Sequence, residues 1–375
     1  MQLFIILSQW VKITYLINKR QMVLVMFIMV YKFSYSQTDT IFQVQPPQIR
    51  NISTLNPNIS VIGDFQSSWR NRAEKNFTTT LNEVEFSFQS VIDPFARADI
   101  FLALEIDPET GEFKTVIEEG YLTTLSLPWH LQLKVGKFKN KLGRLNQLHS
   151  HAVPMIQLPL VYENYLGEGL SDEGLSLSWL VPNPLFYQEL VVEVTDGPGE
   201  SPSFTRSDKN KYLRLAHLKN FWDLSPNATL EFGLTRIIGV NDSSRTTKFA
   251  ALDLTYKFKP LQFNTYKSIT WQSELFYSNA ELTDNSSAKS WGGYSLISIQ
   301  MARRWFLTAR GDYSERPHNS SLKERSISLM LGWFTTEFQK LEMELKRTTS
   351  NFSDSFNIAL VRWIFIIGVH GAHKY

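Results

Sequence analysis

Between Leu81 and Ile106 both arms of one hairpin alternate apolar and polar side chains with a period of two. In the first arm Val84, Phe86 and Phe88 alternate with Glu83, Glu85, Ser87 and Gln89. In the second, Ala98, Ile100, Leu102 and Leu104 alternate with Arg97, Asp99, Phe101 and Ala103. That period sends successive side chains to opposite faces of a strand. Asp93-Pro94 between the arms predicts a tight turn, because proline presets φ and aspartate bonds its own backbone. Each arm has about eleven residues, enough to cross a hydrocarbon layer when tilted. Strands of soluble sandwiches usually stop at about five or six. Long strands with charge on one face and an apolar row on the other predict a membrane β-barrel.

The rest of the chain repeats the unit. Sixteen strand-like segments can be marked, from about 59–69 to 356–369, and the links between them alternate long and short. Outer-membrane barrels have short turns on one side and longer loops on the other. Only 259–267 is long for a tight link, and Glu118-Glu119 breaks the alternation of 113–125 as a bulge would. The parity puts in the lumen Glu83, Glu85, Arg97, Asp99, Lys134, Glu189, Glu193, Arg214, Asp253, Glu274, Arg310, Asp312, Glu342 and Glu344. Tyr121, Trp271, Tyr277, Trp305, Tyr313, Trp333 and Trp363 fall towards strand ends, as aromatic girdles do. The expected fold is therefore all-β, a transmembrane antiparallel up-and-down barrel of about sixteen strands.

Composition agrees. Aromatics reach 13% while mean hydropathy is only −0.19, a pairing natural for a barrel with a polar lumen. Without cysteine there is no disulfide framework, thiolate metal site or cysteine nucleophile. Lys19-Arg20, the apolar stretch Met22 to Val30 and Ser34-Tyr35-Ser36 read as a secretory signal over residues 1–36, cleaved before Gln37. Met22 is an alternative start, and a membrane anchor is the competing reading of the stretch. Residues 37–57, with Pro46-Pro47, read as an extended periplasmic leader, and 58–375 as the barrel. Removing 1–36 takes away four cations and no acid, moving the formal charge from +2 to −2. No basic surface for nucleic acid results.

One connection, 139–173, exceeds a plain link, and long ordered loops are usually functional. Its candidate constriction residues are Lys139, Lys141, Arg144, His149, His151, Glu163 and Glu168. The histidines of His149-Ser150-His151, like His370 and His373, make incomplete metal sites on their own, so neither metal nor cofactor is expected. No histidine falls on a strand beside a serine or aspartate, so no catalytic group is assigned and the chain does not read as an enzyme.

Val135-Gly-Lys-Phe-Lys139 leading into the long loop, and Val194-Thr-Asp-Gly197 ending a later strand, resemble the phosphate-selective-porin-like outer-membrane family. The likeness covers most of 57–375 in architecture. It implies a channel in the outer membrane of a Gram-negative bacterium, surrounded by outer-membrane lipid and passing small hydrophilic solutes or ions. In general porins of sixteen strands the third outside loop folds into the lumen, and trimers are usual, so a homotrimer is the implied assembly. The closing strand, ending in Tyr375, resembles the signal read by the barrel-assembly machinery. The family's phosphate selectivity rests on an arginine-rich lumen. Here both signs are mixed, which points to a general channel, because an anion pathway needs one sign to dominate. The competing readings are a barrel that serves only as a surface anchor or adhesin, without transport, and an uptake channel for anions or phosphate or related to metals. Mass spectrometry of protein extracted from outer membrane should find a chain beginning at Gln37. A mass that retains Met22 to Val30 would refute the signal reading.

Overall fold

In hydrocarbon every backbone N–H and C=O needs a protein partner, so strands cross a membrane only as a closed cylinder. The computed structural model, which describes residues 57–71, 76–106, 112–167, 169–199, 201–206 and 211–368, closes in this way. Its strands are β1 (Asn58–Arg70), β2 (Phe77–Asp93), β3 (Ala96–Ile106), β4 (Phe113–Thr124), β5 (Leu131–Lys139), β6 (Ser171–Val181), β7 (Tyr187–Thr195) and β8 (Leu213–Ser225). They continue as β9 (Ala228–Val240), β10 (Thr246–Phe258), β11 (Ser268–Glu281), β12 (Ser287–Ala302), β13 (Trp305–Arg316), β14 (Asn319–Phe334), β15 (Gln339–Ser350) and β16 (Phe356–Gly368). One α-helix, α1 (Leu160–Leu166), lies between β5 and β6 among the described residues. Each strand pairs antiparallel with the next. β1 pairs with β16 from Ser60↔Gly368 to Arg70↔Ile358, which leaves no edge.

The ordinary rule of burial is inverted. On β15 Glu342, Glu344 and Lys346 are buried, whereas Met343 and Leu345 are 54% and 62% exposed. On β14 Ser326 and Ser328 are buried beside exposed Ile327 and Leu329. A soluble sheet that hid charge and displayed leucine would lose on both faces. A cylinder with lipid outside gains on both. Near the strand ends Trp305 stacks on Trp333 at 5.4 Å, and Trp291 meets Tyr313 at 4.5 Å. At the seam Phe365 lies over Gly63, where any Cβ would strike the ring.

The bulge expected in β4 is present. Phe101 pairs with Glu119 and Leu102 with Ile117, so Glu118 is the extra residue. The phase change turns Tyr121, expected in a girdle, onto the buried row, where the Lys134 ammonium sits 4.0 Å from its ring centroid. Arg214 also departs from expectation. It is exposed and shares a row with Val194 and Ile238, while Leu213, Leu215 and His217 take the buried row of β8. The inner side is locally apolar there, so the polar-inside code fails. Between β8 and β9 the link is tight, because β8 runs on to Ser225 and β9 begins at Ala228. The long link at 259–267 holds a 3-10 turn, Leu261–Phe263, anchored by Asn227, whose carbonyl and Oδ1 accept from Lys259 N and Leu261 N. The signal, the leader, Glu168, His370, His373 and Tyr375 lie outside the described residues.

Leu329→Arg puts a cation among exposed apolar side chains, at a cost of roughly 2–4 kcal/mol at mid-membrane. It should deplete folded, heat-modifiable barrel. Gln132→Arg, on the polar row of β5, should leave the yield unchanged. Equal losses in both variants would show that the rows are misassigned.

Candidate functional site

The segment between β5 and β6 is built to hold a fixed shape. Its neck is closed by Asn140 N donating to Leu170 O at 2.9 Å. Asn146 bridges the same two strands of chain, with Nδ2 donating to Asn140 O and Leu170 O and Oδ1 accepting from Leu170 N at 2.7 Å. Beyond the neck Leu142, Leu145, Val153 and Met155 are buried. Helix α1 opens after Pro159, a residue suited to a helix start, and ends at Gly167, whose φ of 72° suits glycine. Its Val161, Tyr162, Tyr165 and Leu166 join Phe249, Phe276, Tyr294 and Leu296 of β10, β11 and β12 in one apolar cluster. Tyr162 lies 5.1 Å from Phe276 between ring centroids.

The segment's polar groups find partners on the buried row of strand after strand. Glu274 of β11 accepts from Arg144 N, Leu145 N and Tyr294 Oη at 3.0–3.1 Å and from Tyr162 Oη at 2.6 Å. Gly143 just before it has φ +57°, and a Cβ there would overlap the Glu274 carboxylate. Arg310 of β13 donates to Gln157 O at 2.7 Å and Leu158 O at 3.2 Å, and it also pairs with Asp312 at 3.1 Å. Glu344 of β15 accepts from Ile156 N and Gln157 N. Arg362 of β16 donates to Ser150 O at 3.1 Å, and its Nε donates to Glu342 at 2.7 Å. Glu193 of β7 accepts from Asn140 Nδ2 and Lys141 N. Glu163 meets Lys346 at 3.6 Å, and Asn164 donates to Glu324 at 2.8 Å. Buried charges are tolerated when paired or hydrogen-bonded, and here backbone groups of the segment supply much of that bonding.

His149 and His151 are both buried. His149 Nδ1 is 2.8 Å from Glu118 and 3.2 Å from Glu85, and its Nε2 is 3.0 Å from Glu119. Burial alone would lower its pKa. The hydrogen bonds to Glu118, Glu119 and Glu85 outweigh burial and hold the imidazole well above the ordinary histidine value. Ser150 Oγ donates to Glu83. The bulge matters here, since it lets Glu118 and Glu119 both approach one ring.

Beside this cluster lies a cavity of about 880 Å³. Arg97, Lys134, Lys139, Lys141, Arg144 and Lys219 line it together with Glu85, Asp99, Glu119, Glu189 and Glu231. Within it Arg97 Nη2 pairs with Asp99 at 2.6 Å, and Lys219 with Glu231 at 2.7 Å. Of the expected residues, Asp253 is buried on the same row with its carboxyl over Gly233. The contributions of Glu118, Glu119, Lys219, Glu231 and Arg362 were missed. Arg362 alternates with Val361 and Trp363, so its parity already carried the signal.

The closed cylinder, apolar outside and charged inside, defines a sixteen-stranded antiparallel barrel of the kind that spans a membrane with strands. The solved structures it resembles agree in fold. The anion-selective porin of Comamonas acidovorans is 10% identical, superposes with a TM-score of 0.59 and is matched over 83% of this chain and 99% of that one. The outer-membrane channel DcaP of Acinetobacter baumannii gives 10% and 0.58 over 83% and 97%. OmpT of Vibrio cholerae in its trimer form gives 10% and 0.55 over 83% and 100%. In sequence, an uncharacterised protein of Aquifex aeolicus (strain VF5) is 28% identical over 327 residues, 74% of this chain and 69% of that protein. No protein-family model matches the chain.

Glu274→Ala removes the acceptor of the Arg144 and Leu145 amides and of the Tyr162 and Tyr294 hydroxyls, and each buried donor left unpaired costs about 1–3 kcal/mol. Limited proteolysis should then cut within 139–173 while the barrel stays heat-modifiable. Unchanged resistance would mean that Glu274 does not hold the segment.

Proposed function

We propose that the protein is an outer-membrane porin, a passive channel for small hydrophilic solutes or ions, with 139–173 lying across the lumen as its constriction. One observation carries this reading. A single connection hydrogen-bonds to the buried rows of strands from β2 round to β16, which a loop outside the cylinder could not reach. Sixteen strands enclose more space than wall side chains fill, and the apolar cluster of α1 with β10–β12 occupies one flank. The solute path is then the charged cavity on the other flank, lined from β2–β5 and β7–β9 and by Lys139, Lys141, Arg144 and His149 of the constriction.

Both signs of charge line that path, so selectivity between anions and cations is weak and phosphate is not singled out. Assembly as a homotrimer would match the form described for the Vibrio OmpT protein, and insertion would use the barrel-assembly machinery through the closing strand. In planar bilayers, deleting about 145–165 should raise single-channel conductance with the barrel still folded. Replacing Lys139, Lys141 and Arg144 by glutamate should move the reversal potential towards cations. If the deletion leaves conductance unchanged, the segment is not the constriction. If the intact protein does not conduct, the surface-anchor reading replaces the channel.

A further inference from the structure

The histidines of the long connection do not stand alone. The fold brings Glu85 from β2 and Glu118 from the β4 bulge to the His149-Ser150-His151 turn. From these residues we propose a binding site for one divalent first-row transition cation, held by His149 Nδ1, His151 Nδ1, Glu85 and Glu118.

Three observations carry it. The first is spacing. His149 Nδ1 lies 2.8 Å from Glu118 Oε2 and 3.2 Å from Glu85 Oε2, and His151 Nδ1 lies 3.4 Å from the same Glu85 oxygen. Ligands bound at about 2.0–2.2 Å from a common ion stand about 3.0–3.5 Å apart; the ligand atoms of Glu85, Glu118 and His149 already lie within 4.8 Å of one another, and His151, next to Glu85, completes the set by moving inward. The second is Glu85, 1% exposed, whose buried carboxylate is faced, among the described residues, by the two imidazoles alone, at 3.2 Å and 3.4 Å. A buried carboxylate needs a charge or a donor beside it, and a cation bound between the two imidazoles would supply the charge. The third is the far nitrogen of His149. Its Nε2 lies 3.0 Å from Glu119, whose other oxygen accepts from Lys139 N at 3.0 Å. A ligating histidine characteristically donates its second N–H to a carboxylate, which fixes the ring and the tautomer.

The donor set selects the ion class. Two imidazoles with two carboxylates suit zinc, iron or manganese in the divalent state, whereas calcium and magnesium favour all-oxygen sites. Charge agrees: Glu83, Glu85, Glu118 and Glu119 converge here, and Lys139 stands back at 3.9 Å from Glu118. The cavity reaches Glu85, Glu119 and His149, so an ion has a route in. The site stands whether or not the barrel conducts.

The test uses full-length protein extracted from membranes, stripped with EDTA, and titrated with Zn2+ by calorimetry. The expected result is one tight equivalent. Glu85→Gln and His151→Ala should each weaken it at least tenfold, and Glu119→Gln about tenfold. His318→Asn and the pair His370→Asn and His373→Asn should leave it unchanged. Heat-modifiable mobility checks that each variant is folded. X-ray absorption at the zinc edge of the unsubstituted protein supplies a readout that needs no variant, with two imidazoles and oxygen ligands expected. The absence of a saturable equivalent would overturn the proposal, leaving the cluster as an imidazolium held by carboxylates. So would affinity indifferent to both Glu85→Gln and His151→Ala, or a spectrum without imidazole.

Discussion

Backbone hydrogen bonding in a medium without water governs everything else in this barrel. Once β1 meets β16 there is no open edge, and the strands can satisfy one another around the whole ring. The outer row must then be apolar, and it is, through Ile327, Leu329, Met343 and Leu345. Charge is displaced to the inner row, where burial creates a second demand, because ionised groups without partners are costly. The connection from β5 to β6 answers that demand. Its amides face Glu274 and Glu344, its carbonyls face Arg310 and Arg362, and its own backbone groups, which no sheet can pair, are satisfied in return.

This reciprocity explains why the two flanks differ. Along β10 to β12 the wall offers Phe249, Phe276 and Tyr294, and α1 meets them with tyrosine, valine and leucine. Along β2 to β5 the wall offers carboxylates and lysines, and the connection meets them with His149, Lys139 and Lys141. Each stretch of wall is matched in kind by the chain opposite. The remaining gap lies where both surfaces are charged.

Most of the cylinder was readable from residue order, because a period of two over long strands has one cause, a surface with unlike sides. The sixteen segments, the bulge at Glu118 and the outward rows of β14 and β15 all emerge from that period. The failures share a reason as well. Arg214 and Tyr121 were misplaced where the inner side is not simply wet. Beneath the connection the inner row of β8 is apolar, as Leu213 and Leu215 show, and past the bulge the phase of β4 shifts by one residue. The histidine cluster was not readable at all. Its carboxylates come from residues 83–85 and 118–119, and the pairing of β2, β3, β4 and β5 together with the path of the connection brings them to residues 149–151. A helix inside a connection of an all-β chain was equally hidden, since its apolar residues read as loop hydrophobics until a wall faces them.

Ser150 carries a consequence about order in time. Its hydroxyl is held by Glu83 of β2 and its carbonyl by Arg362 of β16, two strands separated only by β1. The turn therefore straddles the place where the first and last parts of the chain meet. Until β1 pairs with both β2 and β16, Glu83 and Arg362 do not stand on the two sides of one turn, and half of its anchorage is missing. It can fasten fully only after the ring has shut. The turn thus acts as a buckle, fastened to a strand on either side of β1. A cylinder that failed to complete would leave its longest connection without one of these two ties.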